Sequence, residues 1–143
     1  MTAGAERGRE PDSELVSIIM PTYNCGAFIG ETIASVQAQT HSHWELLVVD
    51  DCSTDDTAEV VAALAENDPR IHYVRLETNS GAAMARNRAM ELAQGRYMAF
   101  LDSDDLWHPD KLRRQIDFMT SRGVAMSCTA YAQIDEQGVP TGR

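Results

Sequence analysis

The sequence predicts an α/β fold, with a mostly parallel sheet and helices on both of its faces. Three observations point there. Short apolar, β-branched runs alternate with segments of helical periodicity along the 143 residues. Polar or acidic residues follow directly on three of those runs, the usual place for a ligand in an open α/β sheet. Apolar side chains make up 43% of the chain, enough for one buried core at this length. Strands alternating with helices at this density favour parallel pairing through right-handed crossovers.

The elements follow in order. Residues 1–14 contain Glu6, Arg7, Arg9 and Glu10 but no apolar h-region, and they read as a flexible leader, with one domain over 15–143. Leu15 to Met20 is an apolar, β-branched run ended by Pro21, as a buried strand would be. Phe28, Ile29, Ile33 and Val36 stand near helical spacing and predict an amphipathic helix over 28–39. A second strand, Glu45 to Val49, runs into Asp50 and Asp51; Ser53, Thr54, Asp55 and Asp56 then open a helix, where carboxylates suit the positive end of its dipole. Ile71 to Leu76 reads as a strand, 82–94 as a helix closed by Gly95, and Tyr97 to Leu101 as a strand followed at once by Asp102-Ser103-Asp104-Asp105. Pro109 is suited to open a helix over 110–121, Val124 to Tyr131 reads as a fifth strand, and Glu136-Gln137-Gly138 as a turn. Met84, Met90 and Met98 read as core fillers, and Trp107 as a packing residue. His41, His43, His72 and His108 show no metal-ligand spacing and read as surface or loop residues.

Charge narrows the function. Twelve Lys and Arg face 22 Asp and Glu, a net charge of −10, and no basic run relieves it; such a chain repels phosphodiester backbones, so nucleic acid is not expected as a partner. No stretch of about 18 apolar residues suggests a membrane-spanning helix. Cys25, Cys52 and Cys128 are odd in number and lack finger-type spacing, which predicts reduced thiols in a cytoplasmic protein; a peripheral place at the inner membrane face is compatible with that.

The chemistry collects at three strand ends: Pro21-Thr22-Tyr23-Asn24, Asp50-Asp51 and Asp102-Ser103-Asp104-Asp105. Up to five carboxylates meeting at one rim must take up protons or bind a cation. Mg²⁺ or Mn²⁺ fits, because such ions take one or two protein carboxylates and complete their shell with water and substrate phosphates. Such a cation lets an acidic protein handle a diphosphate, and it can neutralise the charge of a departing one.

Four blocks then carry a resemblance: 16–24 (VSIIMPTYN), 48–55 (VVDDCSTD), Asn79-Ser80-Gly81 with Ala85-Arg86-Asn87, and 100–105 (FLDSDD) with Trp107 and Pro109. In this order, from Val16 to about Tyr131, they closely resemble the family 2 glycosyltransferases of Rossmann-like GT-A fold. The resemblance implies transfer of a sugar from a nucleoside diphosphate donor, UDP-linked in the reading adopted here, to an acceptor hydroxyl, with inversion and with Mn²⁺ or Mg²⁺. It implies that Pro21, Thr22, Tyr23 and Asn24 lie beside the nucleotide, that Asp51 accepts a hydrogen bond from the base with Asp50 as its neighbour, and that Arg86 sits near base or diphosphate. It places Asp102 and Ser103 at the ribose and sugar, and a metal on Asp104, Asp102 and Asp105. Asp55 and Asp56 keep their reading as helix-start residues.

In this family the base that deprotonates the acceptor comes from a later part of the catalytic domain, so it is expected outside this chain. The alternatives are a nucleotide-sugar-binding fragment without turnover and, more distantly, a receiver-like acidic-pocket domain. A receiver, however, wants its acidic pair after the first strand and a lysine after the fifth. An exposed sheet edge predicts self-association, and a glycan or lipid-linked acceptor is compatible with the resemblance.

Overall fold

The computed structural model describes residues 14–142. The leader expected over 1–14 lies outside them except for Glu14. That residue is tied down: its carboxylate pairs with Arg96 at 2.9 Å, and its carbonyl lies 2.9 Å from His41 Nε2.

Eight elements alternate strictly: β1 (Val16–Thr22), α1 (Gly26–Gln37), β2 (Trp44–Asp50), α2 (Thr57–Asn67), β3 (Ile71–Arg75), α3 (Ala82–Leu92), β4 (Tyr97–Phe100) and α4 (Lys111–Arg122). The four strands form one parallel sheet in the order β3-β2-β1-β4. The chain winds outward from β1 to β2 and β3, then returns to lay β4 on the other side of β1. That return makes the carboxyl ends of β1 and β4 a topological switch point, where open α/β sheets bind ligands.

Both faces are covered, unequally. Val16, Ile18 and Met20 of β1, with Leu46 and Val48 of β2, pack against Ile29, Ile33 and Val36 of α1, Val61 of α2 and Leu112 and Ile116 of α4. On the opposite face Ile19, Leu47 and Val49 meet only Ala85 and Ala89 of α3 among the fully buried residues. The period-two side-chain pattern of a strand produces this split. β1 is buried along its whole length because it has a neighbour on each side and helices above and below. Its one polar intruder, Ser17, is satisfied: its hydroxyl donates to Glu45 at 2.5 Å and accepts from the Gly95 N–H at 2.8 Å.

Three expectations change. Pro21 does not end the first strand but pairs in register with Val49. Thr22 and Ile19 point their carbonyls to β2 and β4 respectively, so Pro21, two residues from Ile19, faces the β4 side. There β4 has ended at Phe100, opposite Ile19, and no ladder donor is needed from Pro21. Second, the fifth strand over 124–131 does not form; that segment has no ladder partner among the described residues, and Met126 and Tyr131 are exposed. It runs instead across an apolar cavity of about 400 Å³ from β4 and α4, and beyond it an isolated antiparallel bridge joins Ile134 to Pro140. Third, of the methionines expected in the core only Met90 packs there. Met84 and Met98 are about half exposed, because α3 covers just part of its face and nothing described pairs with the outer edge of β4. Of the histidines, His41 lies in a loop yet is fully buried.

Candidate functional site

The loops after β1, β2 and β4 enclose a cavity of about 400 Å³ lined by Pro21, Thr22, Tyr23, Asp51, Asp102, Ser103 and Asp104, with Cys25, Asn79, Gly81 and Ala82 completing the wall. Seven residues expected at the site from sequence thus meet in one place. Tyr23, 49% exposed, presents its ring at the mouth. Thr22 is only 3% exposed, and its hydroxyl oxygen is buried without a hydrogen-bond partner among the described residues. That oxygen lies beneath the cavity surface, where burial without a partner costs about 1–3 kcal/mol.

Asp51 forms the floor. It is 4% exposed, and its carboxylate accepts the backbone N–H groups of Ser80 at 2.6 Å and Gly81 at 2.8 Å, while Asn79 Nδ2 donates to its carbonyl at 3.1 Å. Two backbone donors fix the carboxylate and leave lone pairs for a ligand donor. Gly81 has φ +91° and opens α3, a conformation only glycine takes without strain. Asn79 and Gly81 were not expected as lining residues. The signal available in the sequence was the Asn-Ser-Gly turn before a helix, which shows a tight loop but not what it holds.

Asp50 points the other way. It is fully buried and its oxygens are taken by the Ser53 N–H and hydroxyl, at 2.8 and 2.6 Å, by the Tyr73 hydroxyl at 2.5 Å and by Arg75 at 3.5 Å. Burial and the hydrogen bond to Asp50 together push the Tyr73 phenol up to about 12. The structure thus places Asp50 under the floor as a brace and does not bring it to the cavity. Asn24 is a clamp, not a liner: its side-chain oxygen accepts from Thr54 N at 2.8 Å and its own N–H donates to Ser53 Oγ at 2.9 Å, with φ +49° at the bend. Asp55 keeps its expected place at the start of α2. Its carboxylate accepts from the Thr57 hydroxyl and N–H and from Gly26 N, bonds that hold its pKa below the usual range. Periodicity alone could not tell Asp50 from Asp51, because the alternation of faces at a strand's end depends on where the loop begins; the resemblance gave Asp51 the hydrogen bond to the base and Asp50 a place beside it.

The β4 loop supplies Asp102 and Asp104. Arg86, reaching over from α3, holds Asp102 in an ion pair at 2.9 Å; it touches the site through this carboxylate and does not line the cavity itself. Asp105, expected in the metal set with them, does not line this cavity. It lines a neighbouring cavity with Trp107, Lys111 and Arg114, and burial, followed by the nearby carboxylates of Asp104 and Asp102, raises its pKa. Among the described residues no group of three or more His, Cys, Asp or Glu forms a ready metal cage. Two aspartates facing one cavity do fit an Mg²⁺- or Mn²⁺-type ion, which keeps waters and takes the rest of its shell from a substrate phosphate.

Comparison with known proteins agrees with this geometry. Residues 17–143 match the model of glycosyl transferase family 2. TuaG of Bacillus subtilis, a glycosyltransferase named for teichuronic acid biosynthesis, is 53% identical over 126 residues, 88% of this chain and 50% of the relative. WfgD of Escherichia coli, a UDP-Glc:α-D-GlcNAc-diphosphoundecaprenol β-1,3-glucosyltransferase, is 44% identical over 128 residues, 90% of this chain and 50% of that protein. The chain thus spans about half the length of the curated relatives it matches. Among solved structures, S. aureus TarS 1–349 in complex with UDP superposes with a TM-score of 0.70 at 31% identity, over 82% of this chain and 38% of that one. The mannosyltransferase PcManGT of Pyrobaculum calidifontis, in complex with GDP-Man and Mn²⁺, gives 0.69 at 32% identity over 73% and 32%. The fold is therefore of GT-A type, and the receiver-like alternative falls, since β1 ends in Thr22 and not in an acidic pair. With its strand ends, its cavity and the match over residues 17–143 in agreement, the chain belongs to glycosyl transferase family 2.

Proposed function

We propose that the cavity at the ends of β1, β2 and β4 binds a UDP-sugar with Mn²⁺ or Mg²⁺, as the donor half of a transferase that moves the sugar to an acceptor hydroxyl with inversion. The observation that carries this reading is the convergence of the braced Asp51 carboxylate and the Asp102–Asp104 pair on one cavity, beside Thr22 and Tyr23. Asp51 has lone pairs for the N–H of a uracil, and the Tyr23 ring offers a face for stacking. Asp104, with Asp102, would hold the cation, which when bound neutralises charge on the departing diphosphate. Arg86 keeps Asp102 aimed across the mouth and offsets its charge until a cation arrives. The uridine and Mn²⁺ of the two structural neighbours support the donor reading. The diphosphoundecaprenol substrate in the name of WfgD favours a lipid-linked acceptor and a place at the membrane surface. No described helix is long and apolar enough to cross a membrane.

A ligand that binds only the native state raises its melting temperature by mass action. Among UDP, GDP, CDP and dTDP, each at saturating concentration with Mn²⁺, UDP is expected to give the largest rise in a thermal-shift measurement, and UDP without metal a smaller one. Equal shifts for all four, or none, would overturn the base assignment.

A further inference from the structure

Beside the donor cavity lies a second one, of about 580 Å³, lined by Asp105, next in sequence to Asp104, and by residues of the α4 entry and of the segment beyond it. Its charge is unusual for this molecule. Arg70, Arg75, Arg86, Arg88, Arg96 and Arg113 are each paired with a carboxylate. Lys111, Arg114 and Arg122 form no ion pair among the described residues, though Asp110 acts on Arg114 at longer range; Lys111 and Arg114 line this cavity, three residues apart on one face of α4. The Lys111 ammonium donates only to neutral oxygens, Gln115 Oε1 at 2.8 Å and Thr129 Oγ1 at 3.2 Å, and stands 5.3 Å from the Trp107 ring. His108, on the same wall, accepts the Asp110 N–H at Nδ1 (3.3 Å), which leaves its Nε2 as the donor in the neutral ring. The rest of the lining is mostly apolar, with Leu106, Ala130, Tyr131, Ala132 and Ile134.

Two cations outside any ion pair and a donor imidazole, in a cavity whose remaining lining is mostly apolar, match a phosphate group joined to an apolar chain. A free anion would leave the apolar wall wet, and a neutral lipid would leave the cations unpaired. We propose that this cavity binds the phosphate end of a lipid phosphate or diphosphate acceptor, with Arg114 and Lys111 on the phosphate oxygens and the Tyr131–Ile134 wall against the chain. The acceptor role rests on the donor reading above; the binding itself does not. Asp105, in the same lining, repels phosphate, so the anion is expected on Arg114 and Lys111. An arginine fork is suited to this task because it meets phosphate oxygens two at a time.

The test is an amide NMR titration of the full chain in metal-free buffer, where no cation can bridge a diphosphate to Asp104. The ligands are farnesyl diphosphate, inorganic diphosphate and farnesol. Farnesyl diphosphate is expected to shift Arg114 and residues 129–134, with a Kd about tenfold below that of either simpler ligand. Arg114→Gln should weaken it about tenfold, with partial recovery in Arg114→Lys. In both variants the UDP–Mn²⁺ thermal shift should equal that of wild type. Unchanged affinity in Arg114→Gln, shifts confined to Tyr23 and Asp51, or equally tight binding of inorganic diphosphate would each overturn the proposal. If the lipid titration goes as expected while UDP with Mn²⁺ gives no thermal shift, the binding site stands and the donor reading alone falls.

Discussion

Asp51→Ala is expected to weaken UDP binding by about a hundredfold and to destabilise the protein by about 2–4 kcal/mol. The two effects have one origin. The carboxylate of Asp51 is the acceptor for two backbone N–H groups, those of Ser80 and Gly81, at 2.6 and 2.8 Å. Removing it strands both donors beside a nearly buried site, at about 1–3 kcal/mol for each donor left without a partner. The turn then relaxes, and with it the Asn79 and Gly81 wall of the cavity. The loss of UDP affinity follows from the missing acceptor and from the lost wall. Asp51→Asn separates them, since its amide keeps one oxygen for the turn but presents donors where a carboxylate stood. It should regain most of the stability in chemical denaturation and little of the affinity. An alanine variant that bound UDP as wild type does would show that Asp51 serves the turn alone.

Gly95→Ala should cost about 3 kcal/mol and lower the melting temperature by about 10 °C. A Cβ at this position would stand 2.6 Å from the Ser17 backbone nitrogen, 2.7 Å from its Oγ and 2.8 Å from the Leu15 carbonyl oxygen. Two of those atoms are backbone of the first strand and its lead-in, held on both sides, and cannot give way cheaply. The close approach also holds the link between Gly95 N and Ser17 Oγ, and through Ser17 to Glu45, which itself accepts the Gln94 N–H at 2.8 Å. Pushing Gly95 outward would break this polar cluster and misalign β4 against β1, at the far end of the strands from the site. A differential scan checks it; a shift within one degree would mean that the loop bends aside at no cost.

Gly95 also illustrates what was legible in the sequence. It was expected as the residue closing α3, but that helix ends at Leu92 and the glycine is needed for the approach to β1, a tertiary demand that local pattern does not record. The alternation of elements was legible because period-two and period-3.6 burial are properties of neighbours in sequence. Helix ends moved by about two residues, as at α1, expected over 28–39 and found at Gly26–Gln37. The fifth strand was not legible, because Val124 to Tyr131 has strand composition but a strand also needs a partner edge, which is a long-range fact. At the site, the strand ends named Pro21, Thr22, Tyr23, Asp51, Asp102, Ser103 and Asp104 correctly as neighbours. Which of two adjacent aspartates faces the cavity was not legible in the periodicity, although the resemblance gave Asp51 the base contact: Asp50 turns inward to Ser53, Tyr73 and Arg75, and Asp105 lines the next cavity.

The central claim is that UDP and a divalent ion bind together, through Asp104, in the cavity of Thr22, Tyr23 and Asp51. Calorimetric titration of UDP into the wild-type chain and into Asp104→Ala, each with and without Mn²⁺, tests it most directly. The account predicts that Mn²⁺ tightens UDP binding by about tenfold or more in the wild type and by little in Asp104→Ala, whose metal-free affinity stays near that of wild type. The same affinity in all four titrations would contradict it.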